Sequence, residues 1–168
     1  MANKGYLLTD DANGITPVGR LNVPMGEISY FSTTGTTIVI SGTSNGTTNM
    51  VLVSLASTLS TGAHDMDNGG GNTGRLRYTG ATTRMFHVAI TLSGTPATPS
   101  DVLVLGAAKN GTVIAASKVL GSASGTQFSA LHAYIELATN DYLEVYVGNI
   151  TASRDFTFKS LNIFAMGM

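Results

Sequence analysis

Three histidines and a few carboxylates are the residues here that could hold a metal or move a proton. His87 lies in Phe86-His87-Val88-Ala89-Ile90-Thr91-Leu92, and His132 in Leu131-His132-Ala133-Tyr134-Ile135-Glu136-Leu137. Both runs alternate with the two-residue period of a half-buried strand. Both histidines therefore stand on the face opposite the aliphatic stripe. On neighbouring strands they would face a shared metal or a carboxylate such as Glu136. Structural and catalytic zinc sites take three or four protein ligands, and no third stands at useful spacing here, so zinc is weakly supported. The stronger reading is a polar outer or intersubunit face, with no metal and no cofactor expected.

The remaining motifs fail on spacing. His64-Asp65-Met66-Asp67-Asn68-Gly69 resembles an acidic calcium loop, but an EF-hand ends on a Glu at its twelfth position, and that position, counted from Asp65, is Leu76. A solvated polar loop is the better reading, with loose calcium binding at Asp65 and Asp67 the lesser one. Gly69-Gly70-Gly71-Asn72 lacks the Gly-Lys-Ser/Thr of a phosphate loop. Gly121-Ser122-Ala123-Ser124-Gly125 places its serines wrongly for a nucleophile elbow. Glu136, Asp141 and Glu144 form no assignable acid/base pair for glycoside hydrolysis. Three Asn-x-Thr sequons, at Asn45, Asn110 and Asn149, lack a secretion signal; turn chemistry explains the first two. An enzyme is not expected.

The elements around these residues read as strands and turns. Ile28–Phe31, the β-branched run Thr36–Ile40, Met50–Val53, Phe86–Leu92, Val102–Leu105, Val113–Val119, Leu131–Leu137, Tyr142–Val147 and Phe156–Ala165 are the predicted strands. Val102–Leu105 is apolar throughout, so burial on both faces is expected. Asn110-Gly111 predicts a type I′ hairpin. The last strand loses its alternation near Ser160, where a bulge would restore it. Ser57–Gly74 reads as a loop. No segment shows helical periodicity.

Composition agrees. Of 168 residues only 11% are charged; nine Lys and Arg stand against ten Asp and Glu, and there is no Cys. Near-neutral charge excludes a dedicated nucleic-acid binder. Absent cysteines exclude disulfides and thiolate chemistry. No apolar run reaches membrane-span length, no membrane partner is expected, and the N-terminus has no signal-peptide core. The expected fold is all-β: a jelly-roll β-sandwich of about eight to ten antiparallel strands with an extended N-terminal arm. The arm is placed at residues 1–24 and the sandwich at 25–168. Leu7, Leu8, Ile15, Val18 and Leu21 give the arm apolar docking contacts. Tyr134, Tyr142, Tyr146 and His132 share strand faces with few charges, which reads as a subunit interface.

Three stretches carry a resemblance: Arg77-Tyr78-Thr79-Gly80 with Arg84–Val88, Lys109-Asn110-Gly111-Thr112, and Leu137–Val147 followed by a final apolar strand. This half of the chain, about residues 75–168, resembles the small trimeric jelly rolls of the tumour-necrosis-factor and complement type. It is most similar to versions in virion proteins of tailed bacteriophages, which serve as head decoration (cement) proteins, head fibres or tail-fibre heads. The resemblance implies a homotrimer with one sheet toward the threefold axis, lined by Tyr134, Tyr142 and Tyr146. It implies a decoration protein on the capsid surface, made in the bacterial host cytoplasm, whose arm contacts the major capsid protein. A fibre-tip module binding host-surface glycan or protein is the alternative; the loops Ser57–Gly74 and Gly94–Ser100 would then bind.

Overall fold

The computed structural model describes residues 6–11, 14–20, 23–71, 73–121 and 125–168, with side chains described from Val23 onward. The chain is built of strands β1 (Tyr6–Asp11), β2 (Gly14–Arg20), β3 (Met25–Ile38), β4 (Val51–Leu52), β5 (Thr58–Leu59), β6 (Met66–Asp67), β7 (Leu76–Tyr78) and β8 (Arg84–Pro96). They continue with β9 (Leu103–Lys109), β10 (Thr112–Val113), β11 (Val119–Leu120), β12 (Gln127–Leu137), β13 (Tyr142–Asn149) and β14 (Phe156–Gly167). β1 and β2 pair with each other as a separate two-stranded sheet. The docking residues expected at Leu7, Leu8, Ile15 and Val18 lie on these strands, outside the described side chains. Leu21 lies outside the described residues.

Two antiparallel sheets make the sandwich. One runs β12-β8-β14-β3-β5; the other runs β10-β9-β13-β7-β6, with β11 also on β9 and β4 on β13. Pairing is nested: β3 with β14, β7 with β13, β8 with β12, and β9 with β10. That nesting is the wrap of a jelly roll. The core lies between the sheets. Phe86, Val88, Ile90 and Leu92 come from β8, Leu131, Ile135 and Leu137 from β12, and Leu143, Val145 and Val147 from β13. The ring pairs Tyr78–Phe86 and Phe156–Phe158 meet edge-on, with centroids 4.9 and 4.6 Å apart.

The bulge expected near Ser160 is present: register shifts between Phe158 and Ser160 against both β3 and β8. Phe156 and Phe158 on one side of it, and Leu161, Ile163 and Ala165 on the other, then all face inward. At the β9–β10 hairpin Asn110 and Gly111 have φ of 50° and 80°, the two positive values of a type I′ turn.

Several expected elements differ. The two strands expected over Ile28–Ile40 are joined in the single strand β3, because β14 offers one long edge for both. The Ser57–Gly74 loop contains the edge strands β5 and β6, whose short ladders are backbone pairings without an apolar period. The expected strand Val113–Val119 is broken by a 3-10 turn at Ala115–Ser117. There Ser117 Oγ accepts the Ala107 N–H at 2.9 Å and donates to the Ile114 carbonyl at 2.8 Å. The broken segment folds over β9: a Cβ on Gly106 would stand 2.8 Å from Val113 Cγ1. This cover explains why β9 is buried on both faces.

One buried ion pair closes the end of the sandwich near the β13–β14 turn. Asp101 is fully buried, and the Arg154 guanidinium binds both its carboxylate oxygens, Nε donating at 3.1 and 3.0 Å. The Asp101 carbonyl accepts Gln127 Nε2 at 3.0 Å. Hydrogen bonding from Arg154 holds the Asp101 carboxyl below its ordinary value of 3.8, against the opposing effect of burial. A depressed carboxylate stabilises the fold above its unfolded value, and that contribution fades as pH falls through the folded value. Arg154→Ala is expected to lower stability, because it leaves the buried Asp101 carboxylate without its cationic partner. Urea unfolding at pH 7 checks this. Between pH 5 and pH 3, where burial without Arg154 favours the protonated carboxyl, the variant's deficit against wild type is expected to shrink.

Candidate functional site

The outer face of the β12-β8-β14-β3 strands is where candidate residues converge. The register arranges them in rows. Phe31, Ser160, Ser93 and Phe128 form the first, and Ser29, Asn162, Thr91 and Ala130 the second. Glu27, Phe164, Ala89 and His132 form the third, and Met25, Met166, His87 and Tyr134 the fourth. Phe31 is 79% exposed, Phe128 78% and Tyr134 68%. Glu27 is the one carboxylate of these rows, which hold no Lys or Arg, and it accepts a hydrogen bond from the Asn162 amide. Ser93 and Ser160 join their hydroxyls at 2.7 Å across the bulge. The face is thus nearly uncharged, with exposed aromatic side chains set among small polar ones. Beyond the fourth row lie Met85, 41% exposed, and Met168, 62% exposed.

His87 and His132 meet on this face. The rings are near parallel, 16° apart with centroids at 5.3 Å, and His87 Nε2 lies 3.1 Å from His132 Nδ1. Tyr134 tilts against His87 with centroids 5.7 Å apart. Glu136 is on the same face of β12 but bonds neither ring; its backbone carbonyl accepts Lys109 Nζ at 2.7 Å.

The four residues expected at one interface are divided between the sheets. His132 and Tyr134 lie on β12. Tyr142 and Tyr146 lie on β13, on the outer side of the other sheet. The reading of three tyrosines on one face is therefore corrected: Tyr134 shares a sheet with neither of the others. Tyr142 is covered by its own chain, with Arg75 5.7 Å above its ring and Gly69 beside it. The Tyr146 hydroxyl has its titration pushed up by burial, reinforced by the Glu144 charge.

Glu144, expected on an amphipathic surface, is buried. It accepts Arg75 Nε at 2.6 Å and the Gly111 N–H at 2.6 Å. Asp67 accepts Arg77 Nε at 2.8 Å and Arg77 Nη2 at 2.5 Å, so both oxygens are engaged, and Oδ1 also accepts the Gly69 N–H. Asp65 lies beside His64, 3.5 Å away. Among the described residues no three His, Cys, Asp or Glu side chains stand together as a metal site. No helix among them is long and apolar enough to cross a membrane.

Sequence reasoning missed Phe31, Phe128, Phe164 and the methionines of this face. A signal was present: Phe128, Ala130, His132 and Tyr134 keep the same parity, as do Met85 and His87.

Two stretches that carry the resemblance are physically joined. Asn110 Nδ2 donates to Asp141 Oδ1 at 2.7 Å, Asn110 Oδ1 accepts the Tyr142 N–H at 2.8 Å, and Lys109 pairs with Asp141 Oδ2 at 2.9 Å. The β9–β10 hairpin is thereby clamped to the β12–β13 turn.

No protein-family model matches this chain, and no curated protein matches it. Solved structures do. The Eiger TNF of S. frugiperda aligns over 87% of this chain and 92% of its own, with 11% identity and a TM-score of 0.49. Murine APRIL aligns over 86% and 99%, with 11% identity and a TM-score of 0.49. The globular domain of zebrafish complement 1qA aligns over 84% and 94%, with 11% identity and a TM-score of 0.47. Similarity at this level does not extend to activity, partner or subunit number.

Asn110→Ala removes two side-chain hydrogen bonds and places a Cβ-branched-free but left-handed-averse residue at φ 50°. At about 1 kcal/mol for each bond and a further 1 for the backbone, a loss of about 2–3 kcal/mol is expected. Asn110→Gly should recover the backbone part, and denaturant midpoints of the two variants separate the contributions.

Proposed function

We propose that this chain is a structural, non-catalytic protein that self-assembles as a homotrimer and decorates the head of a tailed bacteriophage. The observation that carries this reading is the nearly uncharged outer face of the β12-β8-β14-β3 strands, with Phe31, Phe128 and Tyr134 directed outward. Exposed aromatic residues on a face with almost no charge mark an interaction surface. Four strands by four rows span on the order of 500 Å². That is short of the roughly 800 Å² per partner of a standard interface. A second surface supplies more. Around the free edge of β12 runs a groove of about 510 Å³, lined by Lys109, Asn110, Thr112, Ile114, Tyr134, Ile135 and Glu136. Face and groove are different surfaces meeting at Tyr134, so contact of one with the other is head-to-tail, and head-to-tail contacts close into rings when the rotation between copies divides a full turn.

The occupant of the face is therefore another copy of this chain. Threefold closure follows from the resemblance read in the sequence. The same reading places the trimer on the capsid surface, with the N-terminal arm reaching the major capsid protein. Three arms acting together would multiply weak contacts into firm attachment.

Sedimentation velocity at micromolar concentration is expected to give the mass of three chains. The double variant Phe128→Glu with Tyr134→Glu is expected to sediment as one chain with unchanged far-ultraviolet dichroism. A monomeric wild-type chain overturns the assembly. Mass-spectrometric counting in virions of the encoding phage tests the location, with on the order of one chain per one to three capsid chains expected for decoration. A handful of copies moves the protein to a fibre tip, and absence from virions overturns both.

A further inference from the structure

We propose that His87 and His132 form a cross-strand chelate for a late first-row divalent cation such as zinc, nickel or copper. In the ladder His132 faces Ala89 and Tyr134 faces His87, so the two histidines are diagonal neighbours on one face. Their facing nitrogens, Nε2 of His87 and Nδ1 of His132, are 3.1 Å apart. Two imidazoles bound to one cation at about 2.0–2.1 Å, with an angle between right and tetrahedral, hold their nitrogens about 2.9–3.4 Å apart. The spacing is that of two adjacent ligands on one metal, and each ring must turn by roughly 40° from the direct nitrogen-to-nitrogen line to aim its lone pair at a shared cation.

The proton balance is simple. When both rings are neutral, one donates its N–H to the other. For both facing nitrogens to coordinate, the donor ring moves its proton to its other nitrogen, and a ring that carries a second proton releases it to solvent. One shared hydrogen bond is exchanged for two coordinate bonds.

The surroundings favour a soft or borderline cation. Met166 stands directly opposite His87 on β14, and Met85 precedes it on the same face. Imidazole and thioether donors suit copper, nickel and zinc better than calcium or magnesium. The ionised groups of the face nearest the pair are the carboxylates Glu136, at the edge beyond Tyr134, and Glu27, across Phe164. Each chain supplies two ligands; the remaining positions go to water in a single chain and face the neighbouring copy in the proposed assembly. Both ligands come from one chain, so the chelate does not rest on the proposed assembly.

The test uses the full chain, with zinc or nickel chloride alone as the probe in a non-coordinating buffer. Calorimetry is expected to show one equivalent per chain. His87→Gln and His132→Gln should each weaken binding by about tenfold or more, since either removes half of the chelate. His64→Gln should leave it unchanged. Equal affinity in the His87→Gln, His132→Gln double variant overturns the site, as does loss of binding in His64→Gln. A direct readout on the wild-type chain guards against misfolded variants. The imidazole carbon–proton resonances of His87 and His132 should shift together on adding zinc while those of His64 stay in place, and the reverse pattern overturns the proposal. Sedimentation of the same samples reads assembly separately: a monomer that chelates sinks the trimer and leaves the chelate standing.

Discussion

β14 is hydrogen-bonded along nearly its whole length on both sides, to β3 and to β8. A strand so held cannot slip, and a slip of one residue would turn every inward side chain outward. Its one irregularity, between Phe158 and Ser160, is therefore decisive. Without the bulge, either the Phe156–Phe158 pair or the Leu161–Ile163–Ala165 run would face solvent. With it, both bury, and the same shift sets Ser160 beside Ser93 and Phe31 on the outer face. Core and outer face are two consequences of one register.

The opposite sheet is fixed differently. Its strands are shorter, and its outer side is held by polar ties rather than ladder length. Buried Glu144 draws in Arg75 from the chain before β7 and the Gly111 N–H from the β9–β10 hairpin. Asp141 and Asn110 bind the two turns at the same end. A buried carboxylate is costly unless charged and polar partners surround it, and here each partner belongs to a different loop. The sheet that makes its own polar network covers Tyr142 with Arg75 and Gly69. The other sheet, whose outer polar ties include the local pairs Glu27–Asn162, Ser93–Ser160 and His87–His132, leaves Phe31, Phe128 and Tyr134 exposed. This asymmetry distinguishes the two outer faces of the sandwich.

What the sequence disclosed follows the same division. Wherever one strand face is buried and the other is not, period two is written in the residues, and β8, β12 and β13 were legible for that reason. The Asn110-Gly111 turn was legible because positive φ at two successive positions restricts residue type. β5, β6 and β7 were not, because two- and three-residue ladders leave no period to read. The break at Ala115–Ser117 was hidden because its cause is the Ser117 hydroxyl bonding to β9, a contact distant in sequence. The tyrosines were grouped on one face because parity says which side of a strand a residue takes. Parity does not say which sheet the strand joins. That is topology, set by β12 pairing with β8 and β13 with β9.

The histidine pair belongs to the second kind of information. Each histidine was legible as an outward residue on its own strand, but their meeting depends on the β8–β12 register. With His132 opposite Ala89 they lie diagonal to each other, within ring-to-ring reach. A register two residues longer or shorter would keep both histidines outward and every core residue inward, yet separate the rings or set them directly opposite. The core alone does not choose among these registers, since parity is the same in each. The choice comes from Gln127, whose amide is fastened to the Asp101 carbonyl at one end of β12, and from the Asp141-capped turn at the other, where the Ala138 N–H reaches Asp141 Oδ2 at 2.8 Å. The two ends hold the strand at one setting, and that setting brings the imidazole nitrogens to 3.1 Å.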